Sequence, residues 1–117
     1  MTRIYRIARH NAFSVGLYTA ETARYHMQDC LRHPLPYEDD GVCDLWKELG
    51  MDLYFGFRSK AQLKFWVHKK AWREELSHEG YVVYVVEPLG DYALGDTQAV
   101  FHKNMCRICG KLSLVDV

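Results

Sequence analysis

A chain of 117 residues and 13.7 kDa is long enough for one domain and too short for two ordinary ones. Hydrophobic residues at 49% and charged residues at 26% give the balance of a folded globular protein and exclude a disordered chain. Fifteen Lys and Arg offset fifteen Asp and Glu, so the formal charge is zero; a chain-wide electrostatic grip on nucleic acid or on an acidic membrane is excluded, and a charged partner must be met by a local patch.

Residues 1–13 carry Arg3, Arg6 and Arg9 among their apolar side chains and never reach a continuous apolar stretch of signal-peptide length. The longest apolar run, 81–86, has the length of a strand, far below the roughly 18 residues that span a bilayer. The expectation is a soluble cytoplasmic protein without a membrane partner, whose four cysteines are free thiols or metal ligands rather than disulfides.

Residues 2–8 alternate around Ile4, Tyr5 and Ile7 and predict an opening strand, on which the arginines need a reason to be present. Over 20–31, Ala20, Ala23, Met27 and Leu31 fall at steps of three and four, the stripe of an amphipathic helix with Thr19 as its N-cap. His33-Pro34-Leu35-Pro36-Tyr37-Glu38-Asp39-Asp40-Gly41 joins two prolines, three acids and a glycine, and reads as a surface loop. A short helix over 44–49 is stopped by Gly50, and Leu53-Tyr54-Phe55-Gly56-Phe57 is a buried strand with one close backbone approach at its glycine.

Ser59-Lys60-Ala61-Gln62 has the Ser-x-x-Gln form of a capping box and starts a helix. That helix runs to Leu76 with a break near Lys69, and Leu63, Trp66, Val67 and Trp72 face inward. The valines of 81–87 predict a strand buried on both faces and closed by Pro88. Residues 90–96 read as a turn, and 97–103 as a strand antiparallel to 81–87 if the connection is a hairpin. The tail is a Cys-x-x-Cys turn followed by a last strand at 112–115. The order predicts a single α+β domain with a small mixed or antiparallel sheet and two to three helices, its core in 1–103 and a cysteine tail in 104–117. Tyr54, Phe57, Trp66, Val83, Val85 and Phe101 are the expected core.

Cys106-Arg107-Ile108-Cys109-Gly110-Lys111, read as a tight turn, presents two sulfurs to one tetrahedral ion in the manner of half a zinc ribbon. Cys30 and Cys43 are the remaining cysteines, with His26, His33 and His102 as further ligands. One zinc on Cys30, Cys43, Cys106 and Cys109 is a closed structural site; the alternative makes Cys30 a small core residue and the others free thiols.

Arg58, Lys60, Lys64, Lys69, Lys70 and Arg73 form a basic stretch in which Lys60, Lys64 and His68 recur every four residues, with Phe65, Trp66 and Trp72 interleaved. It reads either as a contact surface for phosphate or an acidic partner, or as the solvated side of an amphipathic helix. Glu38, Asp39 and Asp40 form an acidic patch, for a hard cation, a partner or plain solvation. There is no Gly-x-Ser-x-Gly elbow, no P-loop and no Gly-x-Gly-x-x-Gly, and no histidine stands in a nucleophile-base pattern.

Ile4-Tyr5-Arg6-Ile7, Gly16-Leu17-Tyr18, His33-Pro34-Leu35-Pro36-Tyr37-Glu38-Asp39, Phe55-Gly56-Phe57-Arg58-Ser59 with Gln62, Leu63 and Trp66, Gly80-Tyr81-Val82-Val83-Tyr84 and Gln98-Ala99-Val100-Phe101 occur in an order that resembles small phage- and prophage-encoded proteins. The same layout resembles a shortened ADP-ribosyltransferase fold. That resemblance implies Arg6 for NAD phosphates and ribose, Ser59 for ordering the site, and Gln98 where active enzymes carry a carboxylate. An amide supplies neither the anion nor the proton acceptor, so ligand binding survives the replacement better than catalysis.

Small phage proteins of this kind commonly act by binding one host protein, antagonists of bacterial immunity such as anti-CRISPR proteins being the best-populated class. The leading expectation is therefore a stoichiometric inhibitor in the host cytoplasm, without cofactor or turnover, using the basic helix and the acidic loop. An ADP-ribosyltransferase-like enzyme or NAD-related ligand binder, and a small zinc-containing nucleic-acid-binding module, are the alternatives.

Overall fold

The computed structural model describes residues 2–17 and 39–117; the helix expected over 20–31 and residues 33–38 of the loop expected over 33–41 lie outside the described residues. In chain order the described elements are β1 (Ile4–Arg9), β2 (Ala12–Gly16), α1 (Cys43–Leu49), β3 (Leu53–Gly56), α2 (Lys60–Trp66), α3 (Lys70–His78), β4 (Tyr81–Pro88), β5 (Tyr92–Leu94), β6 (Ala99–His102) and β7 (Cys106–Leu112), with a 3-10 turn at Gly50–Asp52. The strands form two antiparallel sheets, ordered β2-β1-β4-β7 and β3-β6-β5, so the protein is a small α+β domain.

The alternation of side chains along β1 and β4 explains the layering. Ile7 and Val83 point to one face of the larger sheet and pack with Leu63, Trp66, Val67 and Leu76 from α2, α3 and their junction. Ile4, Ala8, Tyr84 and Val86 point to the other face and meet Ala99 and Phe101 of β6. Both central strands are covered twice, which is why 81–86 reads as an almost unbroken apolar run. Beyond the smaller sheet, Leu53 and Val100 pack with Val42 and with Leu45, Trp46 and Leu49 of α1. The layers therefore run helices, larger sheet, smaller sheet, helix.

The two sheets touch through backbone. Tyr5 and Phe57 exchange both of their N–H···O bonds at 2.7 Å. A Cβ on Gly56 would lie 2.6 Å from Ile4 Cγ2 and 2.9 Å from the Tyr5 carbonyl oxygen, so the close approach expected at this glycine is the crossing of the sheets.

The structure corrects four expectations. Residues 12–16 form β2, which the sequence reading passed over because their burial does not alternate. Residues 92–94 are a strand and not turn alone; this strand pairs with β6, whose other neighbour is β3, so β4 and β6 are not a hairpin pair. The Cys-x-x-Cys segment is no turn: it belongs to β7, the fourth strand of the larger sheet, and the strand expected at 112–115 is displaced toward it. Tyr54 and Val85 are half-buried, because Tyr54 lies toward the rim of the intersheet layer and Val85 reaches a part of the larger sheet outside the helix-side cluster. Trp66, Phe57, Val83 and Phe101 are buried as expected.

Because Leu114 is fully buried among Ile7, Leu63 and Trp66, the last residues are core and not appendage. Leu114→Ala is expected to cost about 2–5 kcal/mol in a denaturant titration, the range for a buried leucine truncated to alanine; an unchanged midpoint would return the segment to the status of a tail.

Candidate functional site

The sequence nominates a basic face, an acidic loop, a cysteine set and the trio Arg6, Ser59 and Gln98. Their geometry separates side chains that hold the fold from side chains available to a partner.

Arg6 shares the parity of Ile4 and Ala8 on β1, which turns it into the layer between the sheets, where it is only 5% exposed. Its Nε donates to the Phe13 carbonyl at 3.1 Å, Nη1 to the Phe55 carbonyl at 2.8 Å and Nη2 to the Ser14 carbonyl at 3.4 Å. The guanidinium lies 4.3 Å from the Tyr54 ring centre and 5.3 Å from that of Phe13. Burial pulls its pKa down to about 10, against the electrostatic support of Tyr54 and Cys106, so it stays charged at neutral pH. A Cβ on Gly16 would stand 2.7 Å from Nη2, so this glycine makes room for the cation.

Ser59 and Gln62 form the expected cap with a variation. Ser59 Oγ accepts from Gln62 N at 3.0 Å, while Gln62 Oε1 accepts from the N–H of Arg58, one residue ahead of the cap, at 2.9 Å. Gln62 is buried, and its Nε2 donates to the Gly95 carbonyl at 2.9 Å, which fastens the start of α2 to the turn between β5 and β6. Gln98 is 1% exposed, and its carbonyl accepts from Gly95 N at 2.8 Å. Arg6, Ser59 and Gln98 thus each carry part of the fold.

The acidic loop divides. Glu38 lies outside the described residues, Asp40 is exposed, and Asp39 is withdrawn from the surface at 4% exposure. Its carboxylate accepts from the backbone N–H groups of Gly41 (3.0 Å), Asp96 (3.2 Å) and Thr97 (3.0 Å) and from the Thr97 hydroxyl (2.8 Å). Burial alone would raise its pKa; the bonds from Thr97, Gly41 and Asp96 outweigh it and hold the carboxyl below its ordinary value. A Cβ on Gly95 would run into this carboxylate. Neither role was read from sequence, although Gly95-Asp96-Thr97, a glycine followed by polar turn residues, is the local signal for such a cradle.

The cysteines are placed apart in character. Cys30 lies outside the described residues. Cys43 opens α1, with its Sγ 3.8 Å from the Asp40 carbonyl oxygen and from Asp44 Oδ1. On β7, Cys106 packs against the intersheet core while Cys109 is exposed, so the pair lacks the chelating turn. Burial raises the Cys106 pKa despite the opposing effect of Arg6. Among the described residues no three His, Cys, Asp or Glu side chains converge as a metal site.

The basic stretch is spread over α2, α3 and the segments that flank α2. α2 buries Gln62, Leu63 and Trp66, which turns Lys60, Lys64 and the 48%-exposed Phe65 outward. Arg73 is different: half-buried, it folds back over the break between α2 and α3 and donates from Nη1 to the Val67 carbonyl at 2.7 Å. Lys69 Nζ stands 4.8 Å from the Trp72 ring centre, and Lys70 makes an exposed i,i+4 contact with Glu74 at 3.9 Å, the kind of ion pair that contributes little. Arg58, Lys60, Lys64 and Lys69 have no carboxylate partner among the described residues.

A family model described as Bacteriophage T4 Y00F protein matches residues 1–115. No curated protein and no solved structure matches the chain. No described helix is long and apolar enough to cross a membrane.

Two outcomes follow from these placements. Arg6→Ala strands three carbonyl oxygens and is expected to cost about 2–4 kcal/mol in denaturant unfolding, with little recovered by Arg6→Lys, whose single ammonium cannot match a three-pronged planar donor. Asp39, with its folded pKa depressed, contributes stability that is present above the ordinary carboxylate range and is lost as pH falls through the depressed value. Asp39→Asn is therefore expected to lower stability at pH 7 by about 1–3 kcal/mol and to flatten the acid-side decline below about pH 4, read from thermal melts across pH.

Proposed function

The chain belongs to the bacteriophage T4 Y00F protein family, and from that premise we propose that it is an accessory protein that docks its α2–α3 face on an acidic surface of a host protein. The target class we assign is a component of bacterial immunity, of which CRISPR-type complexes are the leading case, and the mode is stoichiometric inhibition. One observation carries the reading: Lys60 and Lys64 on α2, Arg58 just ahead of it and Lys69 just after it are exposed, no carboxylate answers them among the described residues, and half-exposed Phe65 lies on the same helix. Charges so arranged on a neutral protein steer association and select an acidic partner, and an adjacent aromatic supplies the apolar anchor. The NAD-related alternative is less well supported, because the donors it needs on Arg6 are directed at the carbonyls of Phe13, Ser14 and Phe55.

The test is a titration of target activity against the protein, using an acidic host protein captured by the tagged chain from a lysate of the infected host. Inhibition that saturates near one equivalent, and an affinity at least tenfold weaker for Lys60→Glu combined with Lys64→Glu at unchanged melting temperature, is the expected result. Exposed substitutions usually alter stability by less than about 0.5 kcal/mol, so a fold defect does not confuse the readout. Complete inhibition at about a hundredth of an equivalent, an NAD requirement, or nucleic acid as the captured species would overturn the reading.

A further inference from the structure

Three segments distant in sequence meet where β1 runs out, β4 begins and β7 ends. They flank an open cleft of about 440 Å³, whose polar lining is His10, Ser77, Lys111 and Ser113 and whose apolar lining includes Val82 and Leu112. That volume falls in the range of small-ligand sites.

The cleft is pre-formed, because its walls are stitched together by bonds of their own. His10 N donates to the Gly80 carbonyl at 2.8 Å, tying the β1–β2 turn to the start of β4. The Tyr84 hydroxyl lies 2.8 Å from the Arg9 carbonyl oxygen and 2.7 Å from that of His10. Lys111 is the cross-strand partner of Tyr84, and its Nζ stands 5.8 Å from the Tyr84 ring centre, so a single tyrosine positions both the histidine turn and the lysine. Gly80, at φ 96°, leaves open space where a side chain would stand. The final turn of α3 is closed on itself, Glu79 N donating to the Glu75 carbonyl and Gly80 N to that of Ser77.

Its chemistry is one-sided. No acid is among the lining residues. Among the described residues Lys111 has no carboxylate partner, and neither the His10 imidazole nor the Ser77 hydroxyl has a hydrogen bond. Ser113 Oγ accepts from Val115 N at 3.3 Å, which leaves its proton free to donate. A flexible ammonium, an imidazole and two hydroxyls around one opening supply more donors than a carboxylate has oxygens to receive well, and they suit the three oxygens of a phosphate.

We propose that this cleft binds a small phosphorylated molecule, its phosphate held around the end of the larger sheet by Lys111, His10 and the hydroxyls of Ser77 and Ser113. The site is distinct from the cations of the docking face: Ser77 is on α3, but none of Arg58, Lys60, Lys64, Phe65 and Lys69 lines the cleft. Titration of the full chain, labelled with nitrogen-15, with inorganic phosphate, with adenosine monophosphate and with adenosine at constant ionic strength tests it by amide shifts. The expected result is saturable movement of the Gly80, Lys111 and Ser113 amides with at least one of the two phosphates, and binding of adenosine at least tenfold weaker than that of its monophosphate. Lys111→Gln combined with His10→Gln is expected to weaken phosphate binding at least tenfold at unchanged melting temperature, while Lys60→Gln combined with Lys64→Gln leaves it unaltered. Shifts that grow linearly without saturation for both phosphates, saturable shifts centred on α2, or an affinity untouched by the Lys111/His10 variant would each overturn the proposal.

Discussion

A single cation between two sheets organises this molecule. Arg6 starts on β1 of the larger sheet and bonds carbonyls of β2 in the same sheet and of β3 in the other. It therefore ties an edge strand of one sheet to an edge strand of the other with one side chain. An ammonium in this place would satisfy fewer acceptors, and a buried carboxylate beside it would add a second desolvation cost to the first. The fold instead surrounds the guanidinium with neutral acceptors and aromatic faces, at the expense of a depressed pKa. The glycine at 16 and the sheet crossing at Gly56 are the steric conditions of that arrangement, because each clears space that a methyl group would fill.

Elements governed by local chemistry were legible in the sequence. The Ser59–Gln62 cap, the helix break near Lys69, the stop after Leu49 and the doubly buried β4 all depend on neighbours within a few positions, and each stands where its residues predict. Long-range choices were not legible. β6 carries the pattern of a strand, but nothing within it says that it pairs with β3 and β5 instead of β4. Cys106 to Leu112 contains a glycine and two cysteines and lacks a simple alternation; its register shift opposite Val85 and Val86 supplies the reason, since an added residue in one strand breaks the period of two.

The candidate sites divide along the same line. Parity on β1 places Arg6 with Ile4 and Ala8, and this pattern, read strictly, already gives an inward arginine; its carbonyl partners come from residues 13, 14 and 55 and could not be read locally. Asp39 looked like one of three solvated acids because three of its four donors come from Asp96 and Thr97, more than fifty positions away. The solvent-facing lysines of α2 were readable because a helix of known phase fixes which side its core residues leave outward.

Net charge conceals how unevenly this neutral chain distributes its ions. Asp39 is buried among amides, Glu87 pairs with Arg107 at 3.1 Å, and Asp52 and Glu74 stand within 4.0 Å of Lys103 and Lys70. Several acids are thus engaged inside the fold or at its ion pairs, while Arg58, Lys60, Lys64 and Lys69 near α2, and Lys111 at the far end of β7, are exposed and have no carboxylate partner among the described residues. The sum over the chain is zero, but the potential a partner meets is set within about one Debye length, roughly 8 Å at physiological salt. At that range the local cations near α2 and at the end of β7, and not the zero sum over the chain, set the field that the described residues present.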